Sequence, residues 1–284
     1  MEVGGGVARV TFNNPRKHNA LSADMLAALP AALAALQADP EVRVVVLAGA
    51  GDRAFVSGAD ISEFEERRTT VEARSAYDQA WTAVNVAWAG LDKPILAMIR
   101  GYCIGGGLLT ALRADVRVAA EGSQFGVPAA RLGLGYGFAG VKTLVDLVGP
   151  SWTAEILFSA RRLSAEEALR IGLVNEVVPH AELMARAEQI ARHIVRLPPV
   201  AVRMMKEFVV RFGDLPTDQA WHVQNLINTL LIQTTTDGEE GRRAFNEKRP
   251  PNFTGALRRR GEAWEEPSAD DTQRLDEAYR SGEF

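Results

Sequence analysis

A strand that runs directly into three consecutive glycines constrains this sequence more than any other feature. The apolar residues 94–99 are followed by 101–104, then by the triplet Gly105–Gly107, and Leu108 and Leu109 continue as an apolar helix. Glycine is entropically unfavourable in a folded chain, so a triplet indicates backbone that approaches another group closely. The unpaired N–H groups at a helix start suit a developing negative charge, such as a phosphate or a thioester oxygen. A tight turn with close helix–strand packing explains the same glycines, and the stretch alone leaves both interpretations open.

The first half of the chain alternates between strand and helix patterns. Strands are predicted at 7–12, 42–47, 94–99 and 115–119, and helices at 22–37, where Ser22 is the N-cap, and 71–90. The β-branched run at 42–47 is typical of a strand that is covered on both faces. This alternation predicts an α/β fold whose strands are mostly parallel.

Helical patterns dominate after residue 151. One short strand is predicted at 173–178, among helices at 151–159, 164–171, 180–196, 199–212, 217–233 and 238–248. The pair Pro198-Pro199 predicts a hinge into a helical C-terminal part. The charged residues from Thr254 to Phe284 are expected outside the core, as a disordered tail or a peripheral helix.

Composition excludes several classes of protein. A net charge of −4 gives no general nucleic-acid footprint. Cys103 is the single cysteine, which rules out an intrachain disulfide, and its apolar neighbours predict a small core residue. No apolar run is long enough to span a membrane and no signal peptide is visible, so we expect a cytoplasmic protein.

Two motif classes are weak here. Residues 135–140 match the dinucleotide pattern G-x-G-x-x-G, but the preceding residues 125–132 contain a proline and do not alternate as a strand should. A nicotinamide or flavin site is therefore disfavoured. An oxidoreductase that binds NAD is kept only as the weakest of the functional hypotheses. His18, His180, His193 and His222 are scattered without metal-ligand spacing, so no metal site is predicted.

An ordered set of motifs is more specific than any one of them. The members are 14–21 (NPRKHNAL), 53–61 (RAFVSGADI), the glycine triplet, 125–128 (FGVP), 165–174 (AEEALRIGLV) and 240–250 (EGRRAFNEKRP). In this order and spacing the chain resembles the crotonase superfamily, the enoyl-CoA hydratase/isomerase family, from residue 7 to about 255. The resemblance implies a ββα spiral core at 1–198, a helical trimerisation region at 199–255 and a polar tail at 256–284.

The resemblance also implies a substrate and a site. The family binds acyl-CoA thioesters, so coenzyme A is part of the substrate and no separate cofactor is expected; the assembly is a homotrimer or a pair of trimers. Two backbone N–H groups hold the thioester oxygen, and by position these belong to Ala59 and Gly106. The implied coenzyme A contacts are Lys17, Ala20, Leu21, Ser57, Gly58, Asp60, Ile61, Lys248 and Phe253. An alternative for Lys17 and Lys248 is that they are ordinary solvated lysines.

Two residues depart from the family pattern. Its hydratases carry glutamates at the positions of Leu109 and Ala129, which cannot transfer a proton. Each lost acid or base lowers the rate by about 10²–10⁴-fold, so we expect slow hydration. Leu109, Ala129 and Leu134 would line the acyl pocket, and the nearby Tyr136 either protonates an enolate or only shapes the pocket.

The sequence therefore supports two classes of function. The first is a lyase or isomerase of the enoyl-CoA hydratase family that stabilises an enolate, with decarboxylation assisted by Tyr136 as an alternative to hydration. The second is a non-catalytic acyl-CoA-binding protein, in which Leu109 and Ala129 simply line an apolar slot.

Overall fold

The computed structural model describes residues 1–60, 62, 70–211 and 215–258, with isolated positions at 268, 270, 273, 274 and 277. The chain divides into two compact units, Met1–Ile194 and Val195–Phe284, and each is described by itself. The polar and charged stretch 62–72 lies largely outside the described residues, as does the tail beyond 258.

The first unit contains alternating strands and helices. Its described strands are β1 (Glu2–Gly4), β2 (Val7–Phe12), β3 (Val44–Gly49), β4 (Ala54–Val56), β5 (Ile95–Ile99), β6 (Tyr102–Ile104), β7 (Val116–Ala120), β8 (Gln124–Gly126), β9 (Leu163–Ser164) and β10 (Glu176–Val178). The described α-helices that begin in this unit are α1 (Ala23–Ala38), α2 (Val71–Ala89), α3 (Gly106–Ala111), α4 (Phe138–Ser159), α5 (Ala165–Arg170) and α6 (Leu183–Val195).

The larger sheet has the strand order β1-β2-β3-β5-β7-β10. Only the first pair, β1 with β2, is antiparallel; the other pairs are parallel, with Leu47 beside Ala97 in adjacent strands. Every residue of β3 and β5 is buried, which explains why both strands read as continuous apolar runs. The predicted α/β class with mostly parallel strands is confirmed.

A second, smaller sheet was not predicted from the sequence. Its order is β4-β6-β8-β9, with the first three strands parallel and β9 antiparallel to β8. These strands have two or three residues each, too short to show a hydrophobic period. This sheet matters most for the site, because β4, β6 and β8 end at the same edge.

The helices of the first unit follow local signals. The Ser22 hydroxyl accepts a hydrogen bond from the N–H of Met25, as expected of the predicted N-cap of α1. The predicted helix at 151–159 is the second half of α4, which Gly149 interrupts with a φ of +77°. The first half, from Phe138, was not predicted, since the glycines at 137 and 140 are poor helix formers. The strand predicted at 173–178 is shorter, at 176–178.

The second unit is helical in its described part. Its helices are α7 (Pro199–Arg211), α8 (Thr217–Thr234) and α9 (Asp237–Asn246), close to the predicted ranges. Residues 254–258 lie outside the core, as expected, since Thr254, Ala256 and Leu257 are exposed, but the segment is tied down by hydrogen bonds. The N–H groups of Thr254 and Gly255 donate to the buried carboxylate of Asp237, and Leu257 pairs with Thr235 as an antiparallel bridge. None of the described helices is long and apolar enough to cross a membrane.

Candidate active site

Three neighbouring parallel strands deliver their carboxyl ends to one place. β4 leads into Ser57-Gly58-Ala59, β6 into the glycine triplet, and β8 into a 3₁₀ helix at Pro128–Leu132. The Gly105 N–H donates to the carbonyl of Gly126, 2.8 Å away, which ties the second turn to the third strand. In sheets of parallel strands, ligands bind beyond the carboxyl ends of the strands.

A cavity of about 630 Å³ opens at this edge. It is large enough for a small-molecule ligand. Eight of the residues predicted for the site line it: Ser57, Gly58, Ala59, Gly106, Leu109, Ala129, Leu134 and Tyr136. The cavity therefore brings together residues that are far apart in sequence. They come from the turn after β4, the turn after β6 and the segment before α4.

The amides of Ala59 and Gly106 are close to each other. A Cβ added at Gly106 would lie 3.6 Å from the nitrogen of Ala59, and one added at Gly58 would lie 3.8 Å from the nitrogen of Gly106. Neither amide N–H donates a hydrogen bond to any residue that the structure describes. Because backbone donors in folded proteins are nearly always paired, two free ones at a cavity wall are available to a ligand.

The three glycines of the triplet meet three different needs. Gly105 has a φ of +58° and is the N-cap of α3. Gly106 lines the cavity, and its amide is a candidate donor there. A Cβ at Gly107 would lie 1.8 Å from the carbonyl oxygen of Val56 in β4, so this glycine permits close helix–strand packing. The two interpretations of this stretch, a donor site for a negative charge and a tight turn with close packing, are therefore both compatible with the structure, because they concern different glycines.

Tyr136 stands over the same turn. A Cβ at Gly105 would lie 3.5 Å from the Tyr136 hydroxyl oxygen. Burial, together with the neighbouring Tyr77, raises the pKa of Tyr136 to about 12. The side chain is therefore a neutral phenol at neutral pH, and its hydroxyl can donate a hydrogen bond or a proton.

Leu109 and Ala129 give the cavity apolar walls. Leu109 is half-buried and packs against α4, where a Cβ at Gly140 would lie 2.6 Å from its Cδ2. Ala129 lies in the 3₁₀ helix, and its carbonyl accepts the N–H of Leu134 at 3.0 Å. Asp78 is the single carboxylate among the described residues that line the cavity. Asp60, Asp115 and Asp146 instead bond to Lys17, the N–H of Ile95 and Lys142, respectively.

Six of the nine residues predicted to contact coenzyme A form a hydrogen-bonded cluster at the cavity, namely Lys17, Ala20, Leu21, Ser57, Gly58 and Asp60. The N–H of Leu21 donates to the carbonyl of Gly58, and the N–H of Asp60 donates to the carbonyl of Leu21. The Ser57 hydroxyl donates to the carbonyl of Lys17 at 3.2 Å. The side chains of Ala20 and Leu21 are buried, and their N–H groups donate to the carbonyls of Lys17 and Gly58.

Lys17 is already paired with a carboxylate. Its Nζ lies 2.6 Å from Oδ2 of the buried Asp60 and 2.8 Å from the hydroxyl of Ser62. Hydrogen bonds from Lys17 and Ser62 hold the pKa of Asp60 below its ordinary value, although burial alone would raise it. Half of the Lys17 side chain is exposed, which leaves the ammonium within reach of an anion in solution.

The structure does not bring every predicted residue to this cavity. Lys248 is exposed with a φ of +52°, and Phe253 is half-buried against Gly241; both belong to the second unit. Ile61 lies outside the described residues. Lys17, Ala20, Leu21 and Asp60 neighbour the cavity without lining it.

One side of the cavity was missed from the sequence. Helix α2 presents Tyr77, Asp78, Trp81, Thr82, Val84, Asn85 and Trp88 to it. Trp81 is nearest the candidate donors, with its Cη2 3.7 Å from a Cβ at Gly106. Aromatic residues at spacings of four and seven in 77–88 were the available signal. Arg113, after α3, also lines the cavity and was missed.

Asn19 was not predicted either, and it shapes the loop. It has a φ of +57° and is fully buried. Its amide nitrogen donates to the carbonyls of Ala50 and Ala54, at 2.9 and 2.8 Å, while its Oδ1 accepts the N–H of Asn14. Asparagine tolerates the left-handed region, so Asn19 fixes the turn that presents Lys17.

The weak motifs have structural explanations. The segment before Gly135–Gly140 is a 3₁₀ helix, so the strand that a dinucleotide site requires is missing there. Cys103 is fully buried in β6, and burial raises the pKa of its thiol, which agrees with a small core residue. Among the described residues, no group of three or more His, Cys, Asp or Glu side chains is placed to hold a metal ion.

Comparisons with known proteins agree on one family. A model of the enoyl-CoA hydratase/isomerase family matches residues 2–256. The chain is 38% identical over 249 residues to the short-chain-enoyl-CoA hydratase of Clostridium acetobutylicum, covering 88% of this chain and 94% of that protein. It is 34% identical over 255 residues to the carnitinyl-CoA dehydratase of Salmonella typhi, covering 88% and 96%. A crystal structure of an enoyl-CoA hydratase/carnithine racemase from Magnetospirillum magneticum matches with a TM-score of 0.82 and 35% identity, covering 89% of this chain and 94% of that one.

Proposed function

Since this chain belongs to the enoyl-CoA hydratase/isomerase family, we propose that it acts on an acyl-CoA thioester and stabilises the enolate of that thioester. The thioester oxygen accepts hydrogen bonds from the amides of Ala59 and Gly106. The observation that carries the proposal is that these two N–H groups lie side by side and unused at the cavity wall. Donors that are fixed before the reaction stabilise the developing oxyanion without reorganisation.

The coenzyme A moiety lies outside the acyl cavity in this proposal. Coenzyme A contacts two backbone segments, 17–21 and Ser57–Asp60. These segments are hydrogen-bonded to each other. The half-exposed Lys17 ammonium supplies charge for a phosphate, although Asp60 offsets part of that charge. Lys248 and Phe253 are proposed to contact the nucleotide of a neighbouring subunit in a trimer.

The reaction that fits the cavity best begins without a base. Decarboxylation of a 2-carboxyacyl thioester breaks the bond between the α-carbon and the carboxylate, CO₂ leaves, and the electron pair moves to the thioester oxygen held by the two amides. The neutral Tyr136 hydroxyl then gives its proton to the α-carbon and recovers one from solvent. Leu109 and Ala129 cannot transfer protons, so this path avoids the step that hydration requires of them.

The names of the relatives favour a different reaction. The relatives from Clostridium acetobutylicum and Salmonella typhi are named a hydratase and a dehydratase. Hydration by this chain would need an acid and a base that activate water at the β-carbon, and Asp78 is the one carboxylate that the described cavity residues offer. A third alternative is an acyl-CoA-binding protein without turnover.

A panel of thioesters separates these functions. Crotonyl-CoA hydration, methylmalonyl-CoA decarboxylation and binding of hexanoyl-CoA are measured on the same preparation. We expect decarboxylation to exceed hydration, and Tyr136→Phe to lower it by about 10²-fold. Turnover of crotonyl-CoA at an ordinary enzyme rate would overturn the choice of reaction. Binding without turnover would identify an acyl-CoA-binding protein, and the absence of binding to any thioester would overturn the proposal as a whole.

A further inference from the structure

The cavity lining includes a cation that the proposed chemistry does not use. This is Arg113, whose Nη2 donates to Oδ1 of Asn85 on α2 at 2.6 Å. The side chain of Arg113 is half-buried. A guanidinium carries five N–H donors, so most of its capacity remains available after the bond to Asn85.

No carboxylate neutralises Arg113 within the described part of the chain. Burial lowers the pKa of Arg113 below its ordinary value. The buried Arg117 is different, since Asp115 opposes the effect of its burial. Asp78 lines the same cavity, but it lies two helical turns before Asn85, roughly 10 Å along α2. A partly desolvated cation without an anion is unfavourable, unless a ligand supplies the anion.

The position of Arg113 suits the far end of an acyl chain. Gly106, Thr110 and Arg113 are spaced at i, i+4 and i+7, so they share one face of α3 and the turn that follows it. Seven residues correspond to about 10 Å along a helix. The apolar side chains of Val84, Trp88 and Leu109 line the same cavity. A chain of methylene groups therefore has apolar walls between the candidate thioester site and the guanidinium.

We infer that the preferred acyl group has a carboxylate at its far end, which Arg113 binds and which is distinct from the 2-carboxylate lost in decarboxylation, so that the substrate class is the ω-carboxyacyl-CoA thioesters. This inference rests on the proposed function, because it assumes that the thioester oxygen is held by Ala59 and Gly106. A carboxylate matches the planar donor fork of arginine better than a neutral carbonyl or hydroxyl does. Asn85 holds the guanidinium in place without neutralising it.

A matched pair of ligands tests the inference. Adipoyl-CoA and hexanoyl-CoA both have six-carbon acyl groups and differ in the terminal carboxylate. Isothermal titration calorimetry measures both with the full chain. We expect adipoyl-CoA to bind about 10- to 100-fold more tightly, the range of a charge-assisted hydrogen-bonded pair. Arg113→Met should abolish the preference, so that both ligands bind with similar affinity, whereas Arg113→Lys should keep part of it.

Two further variants make the result specific. Asn85→Asp places a carboxylate against the guanidinium, so it should also reduce the adipoyl-CoA preference, and it serves if Arg113→Met does not fold. Arg170→Met removes an exposed arginine of α5 and should leave both affinities unchanged. Equal affinity of the wild type for both ligands, or an intact preference in Arg113→Met, would overturn the inference while the proposed function stands. Failure to bind either ligand would overturn both.

Discussion

The ammonium of Lys17 lies 2.6 Å from the carboxylate of Asp60, although the two residues are 43 positions apart in sequence. The Asp60 side chain is only 6% exposed, while that of Lys17 is 50% exposed. The pair joins the loop after β2 to the turn after β4, next to the candidate amide of Ala59. Two residues that the sequence assigned to ligand binding therefore also have a structural role.

Replacing Lys17 by Met should destabilise the protein by about 1–3 kcal/mol, because it leaves a buried carboxylate without its cation. Lys17 lowers the pKa of Asp60, so ionised Asp60 contributes stability above its unfolded pKa and loses it as the pH falls through the folded value. The acid unfolding midpoint of Lys17→Met should therefore move to higher pH. Urea unfolding between pH 3 and 7 measures both effects.

The exposed pair Lys142 and Asp146 provides the control, since it has a similar separation of 2.7 Å. Lys142→Met should change the stability by less than about 0.5 kcal/mol. Equal losses for the two lysine variants would mean that burial of Asp60 has no bearing on the strength of its ion pair.

Gly107→Ala should destabilise the fold by at least about 3 kcal/mol or prevent soluble expression. The added methyl would lie 1.8 Å from the Val56 carbonyl oxygen. The methyl and the atom it meets both belong to rigid backbone, of α3 and of β4, so neither can move aside easily. Gly90→Ala is the matched control, because its methyl would lie 3.6 Å from the nearest atoms. Thermal unfolding compares them, and similar melting temperatures would contradict the packing role of Gly107.

Gly106→Pro should lower kcat by about 10²–10³-fold relative to Gly106→Ala, whichever thioester is turned over. Both variants add a Cβ at an ordinary contact distance, 3.6 Å from the Ala59 nitrogen, but only proline removes the N–H. Proline is tolerated at the first position of a helix, and Gly105 has a ψ of −122°, outside the α region that a following proline disfavours. Equal rates would exclude the Gly106 amide as an oxyanion donor.

The family and the crotonase-like fold were predictable because the motif order survives along most of the chain. The match to residues 2–256 and to solved structures confirms both. Long, regular elements such as β2 and α2 were also predicted, since their periods are visible. The small sheet was not, because strands of two or three residues are defined by pairing with partners such as Gln124 opposite Tyr102, not by their own pattern.

The residues of the candidate site were predictable only where they belong to one of the sequence motifs. Ala59 and Gly106 were placed by the resemblance, and the structure shows that they line one cavity. Trp81, Asn85 and Arg113 were missed, because helix α2 and the end of α3 meet only in the tertiary structure. A helix face with apolar spacing looks the same in sequence whether it covers a core or a ligand cavity.

Tyr136 should remain neutral well above the ordinary range for tyrosine. Burial raises its pKa from 10.0 to about 12, so the folded protein keeps a proton that the unfolded chain releases. Stability from this group is therefore fully present below pH 10 and is lost as the pH rises toward 12. Ultraviolet titration between pH 8 and 11 should give the same tyrosinate absorbance for the wild type and Tyr136→Phe. A smaller signal in Tyr136→Phe would contradict the raised pKa.

Glutamates introduced at positions 109 and 129 should supply an acid and a base for the hydration of an enoyl thioester. Leu109→Glu with Ala129→Glu should raise crotonyl-CoA hydration by about 10²-fold or more over the wild type, with smaller gains for each single variant. Burial against α4 raises the pKa of a carboxyl at 109, so one glutamate acts as acid and the other as base. The double glutamine variant has similar shape without proton transfer and should show no gain. If the wild type already hydrates crotonyl-CoA as fast as the double glutamate variant, Leu109 and Ala129 do not limit hydration, and Asp78 becomes the candidate base.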